Sequence, residues 1–305
     1  MSKRPSRGNT VLLHLGLVVL ILGGIFPAVW LFLTSLKLDG ELIRLPITYL
    51  PDRPTLLNYV AVFRDNPFGR FVLNSLVVSL GATLICVLFA ALAGYALARL
   101  RLPGRKAIMT GIVMTSMFPA LVLLVPLYRL FVGEEVGFLS ALFGYLEQLG
   151  FGFLPSVVST PNLLNTYAAL IIPYVALSLP IATLILTSFF QLIPIDLESA
   201  AMVDGSSRTG ALFRVVAPLS APGIVTAGII VFVNSWNEFL LAFTFNTTLN
   251  MRTIPVGIIL YQGEFSFDWS IISAALTLGI VPLVVLIIFF QQRIISGLTA
   301  GGVKG

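Results

Sequence analysis

Apolar residues run along this chain in six long blocks, approximately 11–35, 71–98, 107–131, 166–190, 220–246 and 271–292. None alternates with period two. Each reaches the roughly 20 residues that carry a helix across a bilayer, so the pattern predicts six membrane-spanning helices and not barrel strands. The first block follows a basic start, "MSKRPSRGNT". It exceeds the roughly 7–15 apolar residues of a signal peptide and has no clear small-residue cleavage site, so it reads as an uncleaved anchor. The segment 133–164, "GEEVGFLSALFGYLEQLGFGFLPSVVSTPNLL", is apolar only in patches and is interrupted by Glu147 and several glycines. It is read as an external loop (132–165) with an interfacial helix near 138–149, capping the bundle or docking a partner. If it spanned, the sidedness of all that follows would invert.

Composition supports the same class. Apolar residues make up 57% and charged residues 10%, where soluble domains carry about 25% charged residues. Mean hydropathy is +1.00. Cys86 is the sole cysteine and His14 the sole histidine, so the chain has no internal disulfide and no zinc-type ligand set. The net charge of +5 is not gathered into a patch that suggests nucleic acid. Its distribution sets the orientation instead. Lys3, Arg4, Arg7, Arg99, Arg101, Arg105, Lys106, Arg208, Arg214, Arg293 and Lys304 fall on one side, eleven of the eighteen Lys and Arg. By the positive-inside rule this side, with both termini, is cytoplasmic. Pro27, Pro119, Pro126, Pro173, Pro180 and Pro282 lie within the apolar blocks, where each frees a carbonyl and kinks a helix.

One cytoplasmic connection, 191–219, is unlike the others. In "DLESAAMVDGSSRTGALFRVVAPLSAP", Pro194 ends the preceding span. Asp196 is expected to cap a short helix, with Glu198 in its first turn. Leu197, Ala200 and Ala201 share one face, and the two alanines allow another surface to approach closely. Asp204-Gly205 stops the helix, with Gly205 suited to the left-handed position. Ser206 or Ser207 caps a second helix that runs to Pro218 and is expected to present Leu212, Phe213 and Val216 on one side. The prediction is a rigid helix–turn–helix elbow joined to spans on both sides.

"ESAAMVDG" followed by "FRVVAPLSAP" resembles the EAA loop of ABC-importer permeases. One departure is that Ser199 stands directly before the two alanines, where the family often has Glu, and Glu198 is one residue earlier. "GLTAGGVKG" at the end, "RLPGR" at 101–105, "MFPALVLLVPLY" at 117–128 and "SWNEFLLAFTF" at 235–245 resemble the MalG-type permease subunits of maltose/maltodextrin importers. The resemblance implies an all-α integral membrane protein, a single six-helix permease domain over 11–296 of MalG/MetI-like fold with cytoplasmic EAA coupling helices. It implies ATPase coupling through Leu197, Glu198, Ser199, Ala200, Ala201, Asp204, Gly205, Phe213 and Pro218. It also implies contact of the cytoplasmic tail (297–305) with the ATPase through Gly301, Gly302 and Lys304, where the glycines by themselves indicate only a flexible end. The implied partners are a homologous second permease, an ATPase homodimer holding ATP and Mg, an extracytoplasmic sugar-binding protein that meets the external loops including 247–269, a sugar and membrane lipid. No cofactor is expected in this chain.

The fifth apolar block holds Asn234, Trp236, Asn237 and Glu238, the last being the only acidic residue in any block. An ionisable residue inside a span is a functional candidate. Asn234 and Glu238 are one helical turn apart and are able to hydrogen-bond sugar hydroxyls, with Trp236 available to stack on a sugar ring. The alternative is that they hold helices together. No P-loop, H-E-x-x-H, G-x-S-x-G or paired-cysteine motif occurs, which disfavours an ATP-binding or catalytic role for the chain itself. No internal repeat of the kind found in ion-coupled carriers is evident. The expected function is therefore uptake of a sugar across the inner membrane by a subunit that is not itself an enzyme. The sugar is read as maltose, a malto-oligosaccharide or a related oligosaccharide, with trehalose, a polyol or glycerol phosphate as other substrates. An ion-coupled secondary transporter is the remaining alternative.

Overall fold

A computed structural model describes residues 7–132, 162–262 and 267–302. The proposed helix at 138–149 and Lys304 lie outside the described residues. Thirteen α-helical segments occur among the described residues. They are α1 (Arg7–Ser35), α2 (Asp39–Leu42), α3 (Leu57–Asp65), α4 (Phe68–Arg99), α5 (Arg105–Ser116), α6 (Ala120–Val132), α7 (Ala168–Leu192), α8 (Ile195–Val203), α9 (Arg208–Leu219), α10 (Ala221–Asn237), α11 (Leu240–Phe245), α12 (Ile254–Ile258) and α13 (Trp269–Gly302). Among the described residues the only extended pairing is one bridge between Gln262 and Phe267.

Among the described residues four helices are long and apolar enough to cross a membrane: α1, α4, α7 and α13. The number rises to six if each of two bent pairs makes one span. The expected span at 107–131 is one of these pairs, and its break is sharper than a proline kink, since α5 and α6 meet at 87°. Pro119 sits in the break, where it lacks the N–H that a continuous helix would need. The other pair is α9 with α10, and the expected fifth span, 220–246, is further divided, into α10 and α11, at Glu238 and Phe239.

The chain forms two compact units, 1–69 with 257–282, and 70–256 with 283–305. In the first, the carbonyls left open at the end of α1 find side-chain donors. Asn58 Nδ2 donates to the carbonyls of Ser35 and Lys37 at 2.8 Å each. The Lys37 ammonium, on a residue only 2% exposed, donates to the Thr48 carbonyl and lies 5.3 Å over the Trp30 ring, a favourable place for a cation near a helix C-terminus. The Thr48 hydroxyl in turn donates a hydrogen bond to Glu41 Oε1 at 2.7 Å.

The second unit is built on close helix approach. Small residues let backbones meet where lipid supplies no hydrophobic drive between helices. A Cβ on Gly94 of α4 would lie 3.1 Å from the Thr187 backbone nitrogen of α7, and one on Gly223 of α10 only 2.3 Å from Phe189 Cγ. One core joins Cys86, Ala90 and Tyr95 of α4, Ala182, Leu186 and Phe190 of α7, Leu212 and Val216 of α9, and Ala227 and Val231 of α10. A second gathers Val78 and Ala82, Phe131, Tyr174, Leu241, Phe245 and Val256. At 1.5 Å per residue α4 is about 48 Å long, longer than the ~30 Å apolar layer, so it extends beyond that layer.

Candidate functional site

The elbow at 191–219 folds as a sequence of local instructions. Ile193 is extended (ψ 129°) ahead of Pro194, as a residue before proline prefers. Helix α8 then starts at Ile195, so Asp196 lies inside the first turn and is not the cap; Pro194 occupies the cap position and offers no side-chain bond. The turn that ends α8 has Gly205 at φ +89°. Its N–H bonds to the Met202 carbonyl at 3.1 Å, and the Ser206 N–H to the Ala201 carbonyl at 3.0 Å. This is the paired closure of a Schellman motif. Ser207 caps α9 by accepting the Gly210 N–H at 3.1 Å, as one of the two expected serines.

Exposure divides the elbow into an anchored part and a presented part. Leu212 and Val216 are fully buried in the core, while Phe213 is 50% exposed and turned away from them. Phe213 therefore does not share the expected side with Leu212 and Val216, and residues 212–216 form a π turn, a feature often found at functional sites. Helix α9 then meets α10 at 85°. Pro218 lies in the exposed last turn of α9. On α8, Leu197 and Val203 are 46% and 87% exposed; Ser199, Ala200 and Asp204 are also exposed, and Ala201 is half-buried. The Ser199 hydroxyl donates back to the Ile195 carbonyl at 3.1 Å.

Glu198 is the exception, at 5% exposure. Its Oε2 is 3.0 Å from Arg99 Nε at the end of α4, and its Oε1 accepts the Tyr95 hydroxyl. Arg99 Nη2 also donates to the Ile193 carbonyl at 2.7 Å. Removing one member of an ion pair this deeply buried typically costs about 3–5 kcal/mol. Sequence reading placed Glu198 in the first turn but missed Arg99 and Tyr95. The available signal is an arginine directly after the apolar block 71–98, which the sequence pattern marks only as a cytoplasmic charge.

The polar cluster of the fifth block is a helix break. α10 ends at Asn237 and Glu238 is extended (ψ 127°). Its carboxylate accepts the Leu241 N–H at 2.8 Å and the Ala242 N–H at 3.1 Å, the first free donors of α11, together with the Tyr174 hydroxyl at 2.5 Å. Glu238 is thus two residues upstream of the helix whose orphan donors it satisfies. Asn234 and Glu238 do come together, although not on one continuous helix. With Tyr174, Leu177, Ser178 and Ser235 they line a cavity of about 130 Å³. Asn234 and Asn237 are exposed. Trp236 is 3% exposed and stacks on Phe232 at 5.5 Å, so its ring is not on the cavity wall. Tyr174 and the two serines were not singled out from sequence. They come from a different apolar block or from within one, and nothing in a linear pattern pairs them with Glu238.

At the other end, Gly301 and Gly302 are the last residues of helix α13, where a flexible tail was expected from 297 onward. No group of three or more His, Cys, Asp or Glu side chains placed to hold a metal occurs among the described residues.

The family described as binding-protein-dependent transport system inner membrane component matches residues 86–299, from the middle of α4 through the elbow to α13. The chain belongs to this family. It is accordingly a multi-pass inner-membrane permease of an ABC transporter and not an enzyme; permeases of this family use no cofactor, and ATP is consumed by the partner ATPase. This permease is 51% identical, over 94% of its length and 91% of the relative's, to the sulfoquinovosyl glycerol transport system permease protein SmoH of Agrobacterium fabrum. It is 36% identical, over 97% of each chain, to the trehalose/maltose transport system permease protein MalG of Thermococcus litoralis. Its fold is that of a chain in the crystal structure of a bacterial ABC transporter involved in import of alginate, with TM-score 0.72 and 17% identity, covering 95% of this permease and 99% of that chain.

Proposed function

We propose that this permease forms half of the translocation path of a sugar importer, and that α8 docks on a cytoplasmic ATPase whose closure moves the spans. The observation that carries the proposal is the geometry of the elbow. It presents an exposed helix, Leu197 and Ala200 outward, on a base whose Leu212 and Val216 are fixed in the core. Such a part is suited to transmitting force. The remaining partners are a homologous permease, a second ATPase copy and an extracytoplasmic binding protein that delivers the substrate. In this reading both termini belong to the cytoplasmic side, and Gly301, Gly302 and Lys304 contact the ATPase. The exposed apolar length of α1, none of whose spanning window is buried in its own chain, supports a surround of lipid and partner permease.

For the cargo, the 51% likeness to a sulfoquinovosyl glycerol permease supports a glycoside of that kind ahead of maltose or trehalose, which the 36% relative's name carries. Asn234, Asn237 and Glu238 are the proposed polar positions on the path, and the buried Trp236 supports their frame.

The test is cysteine cross-linking in native membranes. Val203→Cys is expected to form an adduct with the co-expressed ATPase and to lose it on Gly205→Pro. Absence of any adduct along α8, or ATP-independent uptake by this chain alone, would remove the importer reading in favour of a secondary carrier. The cargo is settled separately by thermal-shift titration of the cognate binding protein with sulfoquinovosyl glycerol, maltose, trehalose, a polyol and glycerol phosphate.

A further inference from the structure

Helix α8 has many exposed residues and one buried side chain that fastens it. We infer that Arg99 is the positioning residue that fixes α8 to the spans, so that a displacement of α8 is delivered to α4 and α7 together; this rests on the docking role proposed above for α8. Three attachments converge on one guanidinium and its partner carboxylate. Arg99 Nε stands 3.0 Å from Glu198 Oε2, with side-chain exposures of 8% and 6%. Arg99 Nη2 donates at 2.7 Å to the carbonyl of Ile193, just past the end of α7. Tyr95, one turn earlier on α4, donates its hydroxyl to the other oxygen of Glu198.

The consequence is mechanical. α8 is a short helix set between two turns, Ile193-Pro194 before it and Asp204-Gly205 after it. Glu198 is the only residue of α8 that is buried. Its link to Arg99 therefore bypasses the first turn and ties α8 to the same point on α4 that holds the end of α7. The charges are favourably placed. The carboxylate is in the first turn of α8, and the cation is at the last turn of α4 and beside the last carbonyls of α7. A planar guanidinium can serve a carbonyl and a carboxylate at once, where an ammonium on a flexible stem is less preorganised. Burial adds specificity more than net stability, because desolvation offsets much of the attraction. The other ion pairs among the described residues, Arg44–Asp52 and Arg64–Asp65, sit on exposed side chains.

The decisive quantity is the ratio of substrate moved to ATP hydrolysed. It is measured in proteoliposomes holding the complete transporter with its binding protein and sugar. Arg99→Gln is expected to retain the ATPase on co-purification and to lower the ratio about tenfold, within the 5–150-fold range of ordinary inter-site coupling. Arg99→Lys is expected to recover part of that loss. Tyr95→Phe, which removes only one hydroxyl, is expected to lower the ratio about two- to threefold, a smaller fraction of the same coupling, and carries the test if Arg99→Gln does not reach the membrane. A merely structural role would reduce transport and hydrolysis in proportion, and an unchanged ratio in the Arg99 and Tyr95 variants overturns the inference while leaving α8 as the docking helix. Failure of Val203→Cys to cross-link the ATPase in the otherwise unaltered transporter overturns both.

Discussion

Tyr174 of α7 donates its hydroxyl to Glu238 at 2.5 Å, and Glu238 uses the same carboxylate to hold the first turn of α11. One acidic side chain thus closes a backbone break and fastens it to a neighbouring span. Loss of a hydrogen bond to a charged group costs about 1.5–3 kcal/mol, and of a neutral one about 1 kcal/mol. Glu238→Ala, which leaves two N–H groups open, is expected to cost about 3 kcal/mol, and Tyr174→Phe about 2 kcal/mol. In thermal unfolding of the purified complex the Tyr174→Phe/Glu238→Gln pair should be non-additive by more than about 0.5 kcal/mol, as residues in one network are. Additive effects would show that the two act separately. If Glu238→Gln keeps the melting temperature but alters transport, the residue also serves the path.

Two glycines in α10 should respond oppositely to the same change. A Cβ on Gly223 would sit 2.3 Å from Phe189 Cγ and 2.8 Å from its Cβ, whereas one on Gly228 would find Thr83 Cγ2 at an ordinary 3.6 Å. Gly223→Ala is expected to destabilise by about 1–3 kcal/mol through overpacking. Gly228→Ala should be neutral or stabilising by up to about 1 kcal/mol, since a helical glycine has more backbone freedom to lose than alanine. Phe189→Ala placed in the Gly223→Ala background should return part of the loss. Equal responses of the two glycines in a denaturation series would refute the close approach of α10 to α7.

How much of this was legible in the sequence depends on distance along the chain. The elbow could be read almost whole, because its signals are local: a proline before α8, a glycine at φ +89°, a serine that reaches its own backbone three residues on. What failed there was the assignment of Phe213 to the side of Leu212 and Val216: neighbours in a helix point about 100° apart, and only the outer one is exposed. The apolar blocks located the spans but not their breaks, since hydropathy is indifferent to whether Pro119 sits in a kink or in a near-perpendicular bend. Arg99 with Glu198, and Tyr174 with Glu238, are separated by 99 and 64 residues respectively, and only packing brings such pairs together.

The segment that follows α1 should loosen in acid. Burial pushes the Glu41 carboxyl up, but the bonds from Thr48 and from the Asp52 N–H, with the positive charges of Lys37 and Arg44, outweigh it and hold the group below its ordinary value of 4.5. A carboxyl depressed by folding contributes stability that is present above its unfolded value and is lost as pH falls through the folded one. Peptides covering 37–58 are therefore expected to keep their hydrogen-exchange protection at neutral pH and lose it progressively below about 4.5. Glu41→Gln should flatten that dependence. A pH profile unchanged by the substitution would assign the transition to another carboxyl.

Gly205 offers a test of the elbow that involves no contact at all. It stands at φ +89°, and a Cβ there would meet nothing within 4 Å. Any cost of Gly205→Ala is thus conformational, about 1–2 kcal/mol for an L-residue held in a left-handed region. Asn, which tolerates that region better, should cost less. The penalty does not have to unfold the permease, because the elbow's base is held independently by Leu212 and Val216 in the core. Relief comes most readily by opening the turn, which releases the N–H of Gly205 from Met202 and of Ser206 from Ala201 and swings α8 on its remaining attachment at Glu198. The expected result is a permease of near-normal melting temperature whose cross-linking from Val203→Cys to the ATPase falls in the order Gly, Asn, Ala at position 205. A fall in melting temperature with cross-linking preserved would mean that the turn stabilises the bundle and does not set the attitude of α8.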